Sequence, residues 1–393
     1  MLPLYQSLSP LTQRIIRETV AGLTFLIKEN FNTDHPAPLV APINADPGPG
    51  IWDVITDANA RFSISGGKHH SSDQSIGTYM YLDVPVTRKN GMLLDMRLQP
   101  VSAVLNRYGL SPTRTSQLLG TFFLPSAVLN LASTNNSGGS TTFQCINSGV
   151  NYGVESNYTI WLRDTAGCFY IYNNTLIMVE DRITAATQYV GTSQNSNVTG
   201  SQPDRTLDNV RVVDLLAEGY DVDDDWHLAN HYDASLSEGE YFTHDADTHI
   251  EFFFTTFQNG GNVDIYFRMQ SESPLNCWCL RITNSVNTQL YEVVNGTFTQ
   301  RFSSASGLKL ANTRFYVFAR GTTIVLYRSN QSGSLIGQLL SQTTYTSANN
   351  FSTETDGKVA DLGTTDAVIR DFAVYPYNLP PSVTDILDAV RNA

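Results

Sequence analysis

Most of the side chains able to do chemistry crowd into one stretch of the chain. It opens on Asp221-Val222-Asp223-Asp224-Asp225 and runs through Trp226, His227, His231, Tyr232, Tyr241, His244 and His249 to Glu251 and Asp264. Carboxylates at alternate positions suit Ca²⁺, which gathers oxygen ligands. Asp221, Asp223 and Asp225 are therefore the calcium candidates. His227 and His231, four residues apart, would share a helical face and are the candidate transition-metal ligands. The acidic run lacks the glycine turn and the distal glutamate of a calcium loop. It reads as a solvated stretch between domains, so no cofactor is expected and Ca²⁺ is the alternative.

Two carboxylates can cleave a glycosidic bond when held about 5 to 10 Å apart. Glu251 and Asp264 lie on neighbouring candidate strands, with Glu292 on another. No Gly-x-Ser-x-Gly, phosphate-binding loop or dinucleotide motif accompanies them. Carboxylates on strands are usually solvated, and no enzymatic activity is expected. Trp226, Tyr232 and Tyr241 lie among Asn and Asp in loop-like segments. Aromatic faces stack on sugar rings while Asn and Asp meet hydroxyls, a combination that suits glycan recognition. The same rings would instead cover sandwich edges or be buried at a subunit interface, and the interface reading is preferred because the domain pair has exposed edges that an oligomer would cover. Cys145, Cys168, Cys277 and Cys279 read as free thiols. Cys277 and Cys279 share one face of a strand, a poor geometry for a disulfide.

Composition sets the outer bounds. The chain has 393 residues, 41% apolar and 16% charged, with a net charge of −13. That is a folded composition. Its sign excludes a basic nucleic-acid footprint. The run Val20 to Ile27 is too short to cross a bilayer. Met1 to Gln13 lacks the basic start of a secretory signal, so synthesis in a reducing cytoplasm is the expectation.

The elements that must position these residues read as follows. Residues 1–32 form a helical arm: Ser9-Pro10 caps it, and Leu11, Ile15, Ile16, Leu23 and Leu26 recur at roughly helical spacing. These five residues are the candidate assembly contacts if the arm docks on a neighbouring subunit; the equal alternative is a helix packed on its own sandwich. Residues 33–50 form a Pro-rich linker. Residues 51–220 alternate in the manner of strands and carry an insertion at about 101–139. Residues 221–380 alternate again, with a hairpin turn at Arg320-Gly321-Thr322-Thr323. Residues 381–393 read as a short C-terminal helix.

The two strand-rich regions echo one another. Ser63-Ile64-Ser65-Gly66-Gly67 returns as Ser235-Leu236-Ser237-Glu238-Gly239, and Arg97-Leu98-Gln99 returns as Arg268-Met269-Gln270. Trp161-Leu162-Arg163 returns as Trp278-Cys279-Leu280-Arg281. Asn173-Asn174-Thr175 returns as Asn295-Gly296-Thr297, and a closing strand at Val210–Asp214 returns at Val368–Phe372. The expected fold class is therefore all-β: two tandem β-sandwiches, an N-terminal helical arm and a short C-terminal helix.

On these motifs, residues 51–377 resemble tandem concanavalin A-like or laminin-G-like jelly-roll domains, of the kind found in structural proteins of tailed bacteriophages. The Glu-x-Asp-x-Glu signature of jelly-roll glycosidases is absent. The resemblance implies a structural virion protein of capsid, tail or appendage. It would assemble through its arm with itself and other virion proteins, without nucleic acid and without membrane insertion. Carbohydrate binding in an adhesion or receptor-binding role, with host surface glycans as the partner, is the alternative, and glycan cleavage stands behind both.

Overall fold

The computed structural model describes residues 23–37, 39, 43–44, 51–56, 62–71, 78–87, 91–99, 105–111, 114, 120–123, 134–135, 153–163, 167–180, 187–195, 205–215, 217–218, 231–232, 239–256, 262–283, 287–305, 313–328, 338–344, 351–361, 368–379 and 381–393. The chain divides into two compact units, residues 1–225 with 379–393, and residues 226–378. Among the described residues the regular structure is almost all strand, with a single helix.

The first unit contains β1 (Phe25–Glu29), β2 (Ile43–Asn44), β3 (Ile51–Thr56), β4 (Phe62–Ser65), β5 (Lys68–Ser71), β6 (Thr78–Thr87), β7 (Met92–Gln99) and β8 (Leu105–Ser111). It continues with β9 (Gly120–Phe123), β10 (Thr134–Asn135), β11 (Ser156–Arg163), β12 (Gly167–Tyr172), β13 (Thr175–Glu180), β14 (Thr187–Asn195) and β15 (Arg205–Asp214). The C-terminal helix α1 (Pro381–Asn392) belongs to this unit as well. One sheet runs β13-β12-β11-β7-β15-β5-β4, with β1 also on β15; the other runs β10-β9-β8-β14-β6-β3-β2.

The second unit contains β16 (His231–Tyr232), β17 (Tyr241–Thr243), β18 (Thr248–Thr256), β19 (Asn262–Glu272), β20 (Leu275–Thr283) and β21 (Asn287–Val294). It continues with β22 (Thr297–Ala305), β23 (Thr313–Arg320), β24 (Thr323–Arg328), β25 (Gln338–Thr344), β26 (Asp356–Asp361) and β27 (Val368–Pro376). Its sheets run β16-β27-β18-β23-β24-β25 and β17-β26-β19-β20-β21-β22. Alternation along β18 and β19 turns Ile250, Phe252, Val263, Ile265 and Phe267 into one shared core with Trp278, Val317 and Leu326.

The topologies explain the sequence echo and correct it. The order β13-β12-β11-β7-β15 matches β22-β21-β20-β19-β26, and β8-β14-β6-β3 matches β24-β23-β18-β27. Strands β8 and β9, both drawn from the expected insertion, fill the sheet places that β24 and β25 hold in the second unit, and β10, from the same insertion, adds one strand at that edge. The two closing strands are not counterparts: Val210–Asp214 pairs with β7, whereas Val368–Phe372 pairs with β18 in the other sheet.

The expected helical arm fails where it is described. Phe25–Glu29 is a strand, paired antiparallel with β15, and Leu26 lies on it 37% exposed. Burial decides this against helical spacing: Ile27 and Glu29 both turn inward, a two-residue period. Glu29 accepts a hydrogen bond from the Trp52 indole at 2.7 Å and another from the Phe31 amide at 2.5 Å. Leu23 has no regular structure, and Leu11, Ile15 and Ile16 lie outside the described residues. The linker is likewise built into the first unit. His35 and Ile64 exchange both backbone hydrogen bonds at 2.8 Å, and Ile43–Asn44 pairs with β3.

Candidate functional site

Each unit has one sheet whose outer face can be followed, residue by residue, across equivalent strands. Directly opposed residues in an antiparallel ladder point to the same side. In the first unit one such row reads Phe25 (β1), Val213 (β15), Leu93 (β7), Trp161 (β11) and Phe169 (β12). In the second unit the corresponding row reads Tyr241 (β17), Lys358 (β26), Tyr266 (β19), Cys279 (β20), Tyr291 (β21) and Gln300 (β22).

The first row is apolar and covered. Leu93, Trp161 and Phe169 are buried. On the same face Arg391 of α1 reaches Asp95 at 3.2 Å, the Thr159 hydroxyl at 3.2 Å, the Asn174 side chain at 2.8 Å and the Asn173 carbonyl at 2.9 Å. The helix buries Val383, Ile386, Leu387 and Val390, the spacing of one apolar stripe. Burial raises the Asp95 carboxyl above its ordinary range, while Arg391 and the Thr159 hydroxyl draw it back.

The second row is half polar and reaches solvent. Tyr241 is 55% exposed, Gln300 is exposed, and Lys358, Tyr266 and Tyr291 are half-buried. Tyr241 sits on this face because β17 alternates: Phe242 points into the core, its ring filling the space over Gly357, and its neighbours point out. The Tyr241 hydroxyl donates to Glu272 at 2.6 Å. The Lys358 ammonium donates to Glu272 at 2.7 Å and to the Tyr241 hydroxyl at 3.0 Å, and it lies 4.6 Å from the centre of that ring. These bonds lower the Glu272 carboxyl and raise the Lys358 ammonium.

Beside the row, Arg281 holds Asp264 through two parallel bonds of 2.7 and 2.5 Å. Its guanidinium lies 5.3 Å from the Tyr291 ring centre and 5.2 Å from that of Phe298. The Tyr291 hydroxyl donates to Gln289 at 3.0 Å. Beneath the rings lie Met269, Cys277, Cys279 and Val293. Burial pushes both thiols, and the half-buried Tyr266 hydroxyl, well above their usual ranges, so they keep their protons and can donate.

The residues singled out by type are thus partly brought together. Tyr241 stands at one end of the row. Tyr232 and His231 form β16, paired with β27 in the other sheet, and their side chains lie outside the described set. Trp226, Asp221, Asp223, Asp225 and His227 lie outside the described residues. Two further histidines are committed to the fold. His244 Nε2 accepts from the Arg268 amide at 2.9 Å, which leaves Nδ1–H to donate to the Asp245 carbonyl at 2.7 Å. His249 is fully buried among Tyr316, Phe318 and Tyr375. No group of three or more potential metal ligands forms among the described residues.

The carboxylate pair does not converge. Glu251 and Asp264 alternate with core residues on β18 and β19, which belong to different sheets, so both point away from the core on opposite sides of the sandwich. Sheets stack about 10 Å apart, and outward side chains add to that distance, beyond a catalytic separation. Tyr266, Tyr291 and Arg281 were missed by composition and motif. Their signal is register: they fall in line only once β19, β20 and β21 are paired.

The chain matches no protein family and no curated protein. Among solved structures it is similar to the Emp47p carbohydrate recognition domain, at 12% identity and a TM-score of 0.34 over 50% of this chain and 98% of that one. It is also similar to the carbohydrate-binding module CBM66 from Bacillus subtilis, at 13% identity and 0.27 over 37% and 91%. β-agarase B from Zobellia galactanivorans gives 10% identity and 0.32 over 48% and 92%.

Proposed function

We propose that this protein binds carbohydrate through the outer face of the β17-β26-β19-β20-β21-β22 sheet. The observation that carries the reading is the contrast between the two rows. Where the face is apolar, the chain covers it with its own helix; where the face carries Tyr241, Tyr266 and Tyr291, the rings stay at least partly open to solvent. Half-exposed tyrosines offer apolar surface to sugar C–H groups at small entropic cost. Gln289, Gln300, Lys358 and Glu272 stand beside them to meet hydroxyl groups.

Assembly into a virion through the N-terminal segment has no support among the described residues, since Phe25–Glu29 is already paired within its own sheet. Screening the full chain on a broad glycan array tests the proposal. Binding is expected, and Tyr266→Ala should weaken it by about 0.5–1.5 kcal/mol, the worth of one ring contact. Silence across the array, or full retention by Tyr266→Ala, overturns it.

A further inference from the structure

Granting that the face binds carbohydrate, we infer that its ligand is a single, extended, electrically neutral glycan chain lying across the strands. The row places Tyr241, Tyr266 and Tyr291 on alternate strands, β17, β19 and β21. Strands lie about 4.8 Å apart, so successive tyrosines lie about 9.5 Å apart. That is the length of two sugar rings in an extended β-linked chain, in which every second ring presents the same side. Between the tyrosines stand Lys358 and the small, fully buried Cys279, so the rings project as separated ridges and not as one continuous plate.

The sheet also twists, by about 20–25° from strand to strand. Three rings on alternate strands are therefore progressively rotated. They fit a single chain that twists with them, and they do not fit the flat face of a crystalline polysaccharide.

Charge narrows the class further. The cations nearest the row are engaged: Arg281 by Asp264 and Lys358 by Glu272. Arg301, at the edge strand, is held by Glu292. Each basic group is balanced by a carboxylate, and the chain as a whole carries −13. A sulfated or uronic-acid polymer would meet no unbalanced positive charge here and would approach against the long-range field.

The test is calorimetric titration of the full chain with neutral β-linked oligosaccharides, namely the cello-, xylo- and manno- series from disaccharide to hexasaccharide. A sulfated polymer and crystalline cellulose serve as comparison ligands. Affinity is expected to climb with length and level off at about four to five sugars, the span from Tyr241 to Tyr291. Tyr241→Ala, at one end of the row, should lower hexasaccharide affinity roughly three- to tenfold and make affinity level off at a shorter chain. Glu272→Gln, which releases Lys358, should improve binding of the sulfated polymer. Equal affinity for disaccharide and hexasaccharide, a preference of the unaltered chain for the sulfated polymer, or tight adsorption to crystalline cellulose overturns the inference and leaves carbohydrate binding standing. Absence of binding to any carbohydrate removes both.

Discussion

At the scale of single residues, the second unit is built on a few positions where one side chain decides what its neighbours can do. Gly357 is such a position. A Cβ there would lie 2.2 Å from Phe242 Cζ, because the Phe242 ring occupies the space above the glycine on the core side. The ring is confined by Phe372, 4.7 Å away between centres, so it cannot simply step aside. Gly357→Val is expected to destabilise the second unit by about 1–3 kcal/mol, the usual penalty of overpacking. Urea unfolding checks this through the midpoint, with an unchanged slope. An unchanged midpoint would mean the ring relocates freely. Arg268 is a second such position. It sits at a register break in β19 with φ of 48° and is fully buried, donating at 3.0 and 2.7 Å to the Ala246 carbonyl and at 2.6 Å to that of Gly321. Burial lowers its guanidinium to about 10. That bulge interrupts the pairing of β19 with β20 after Phe267, and pairing resumes at Ser271 and Glu272.

At the scale of elements, α1 is the piece whose role is least visible from its own composition. It covers the outer face of β7 and β11, where Arg391 meets Asp95. Removing one partner of a buried pair leaves the other charge uncompensated. Arg391→Met is therefore expected to destabilise the first unit by about 3–5 kcal/mol near neutral pH. The pH dependence has a definite sign. The native Asp95 carboxyl is raised, so the folded state holds that proton more tightly than the unfolded one. The stability tied to it is present below the ordinary carboxylate range and is lost as pH climbs through the raised value. Taking away Arg391 raises that value further, so the deficit of the variant should grow with pH. Thermal melts of the two proteins from about pH 4 to 8, upward from the ordinary carboxylate range, measure it. A deficit that is flat with pH would show that the arginine acts by packing alone.

At the scale of the whole molecule, one chain uses one topology twice and treats the same face in two ways. The first unit takes back residues 379–393 after the second unit is complete. Ending the chain before Pro381 should therefore damage the first unit and spare the second, although the deleted residues directly follow the second in sequence. Leu93, Trp161 and Phe169 would be laid open to water, a contiguous apolar patch of the kind that drives association. Differential scanning calorimetry is expected to show the first-unit transition falling or lost, with the other transition in place. Loss of the second-unit transition instead would overturn this division of labour.

How much of this was legible in the residues follows from what period and register each can express. Alternation at β19 is strong, β20 and β27 carry short apolar runs of strand length, and turn residues such as Asn173-Asn174 and Asn295-Gly296 demand positive φ at Asn173 and Asn295, as found. Two strand-rich regions and a terminal helix are thus local facts written in the chain. Phe25–Glu29 was not legible, because its apolar residues also satisfy a helical spacing and only pairing with β15 settles the period. Nor was the difference between Trp161 and Trp278. They stand beside the same Leu-Arg pair, yet the one additional residue, Cys279, turns Trp278 into the core while Trp161 stands opposite Leu93 on the outer face, since a slip of one reverses every side chain. Sequence by itself determined the strands of the two repeated regions, their turns and the echo between them, because those depend on near neighbours. Which face would be sealed, and which would line up Tyr241, Tyr266 and Tyr291 from strands far apart in the chain, was decided only by long-range pairing in the folded molecule.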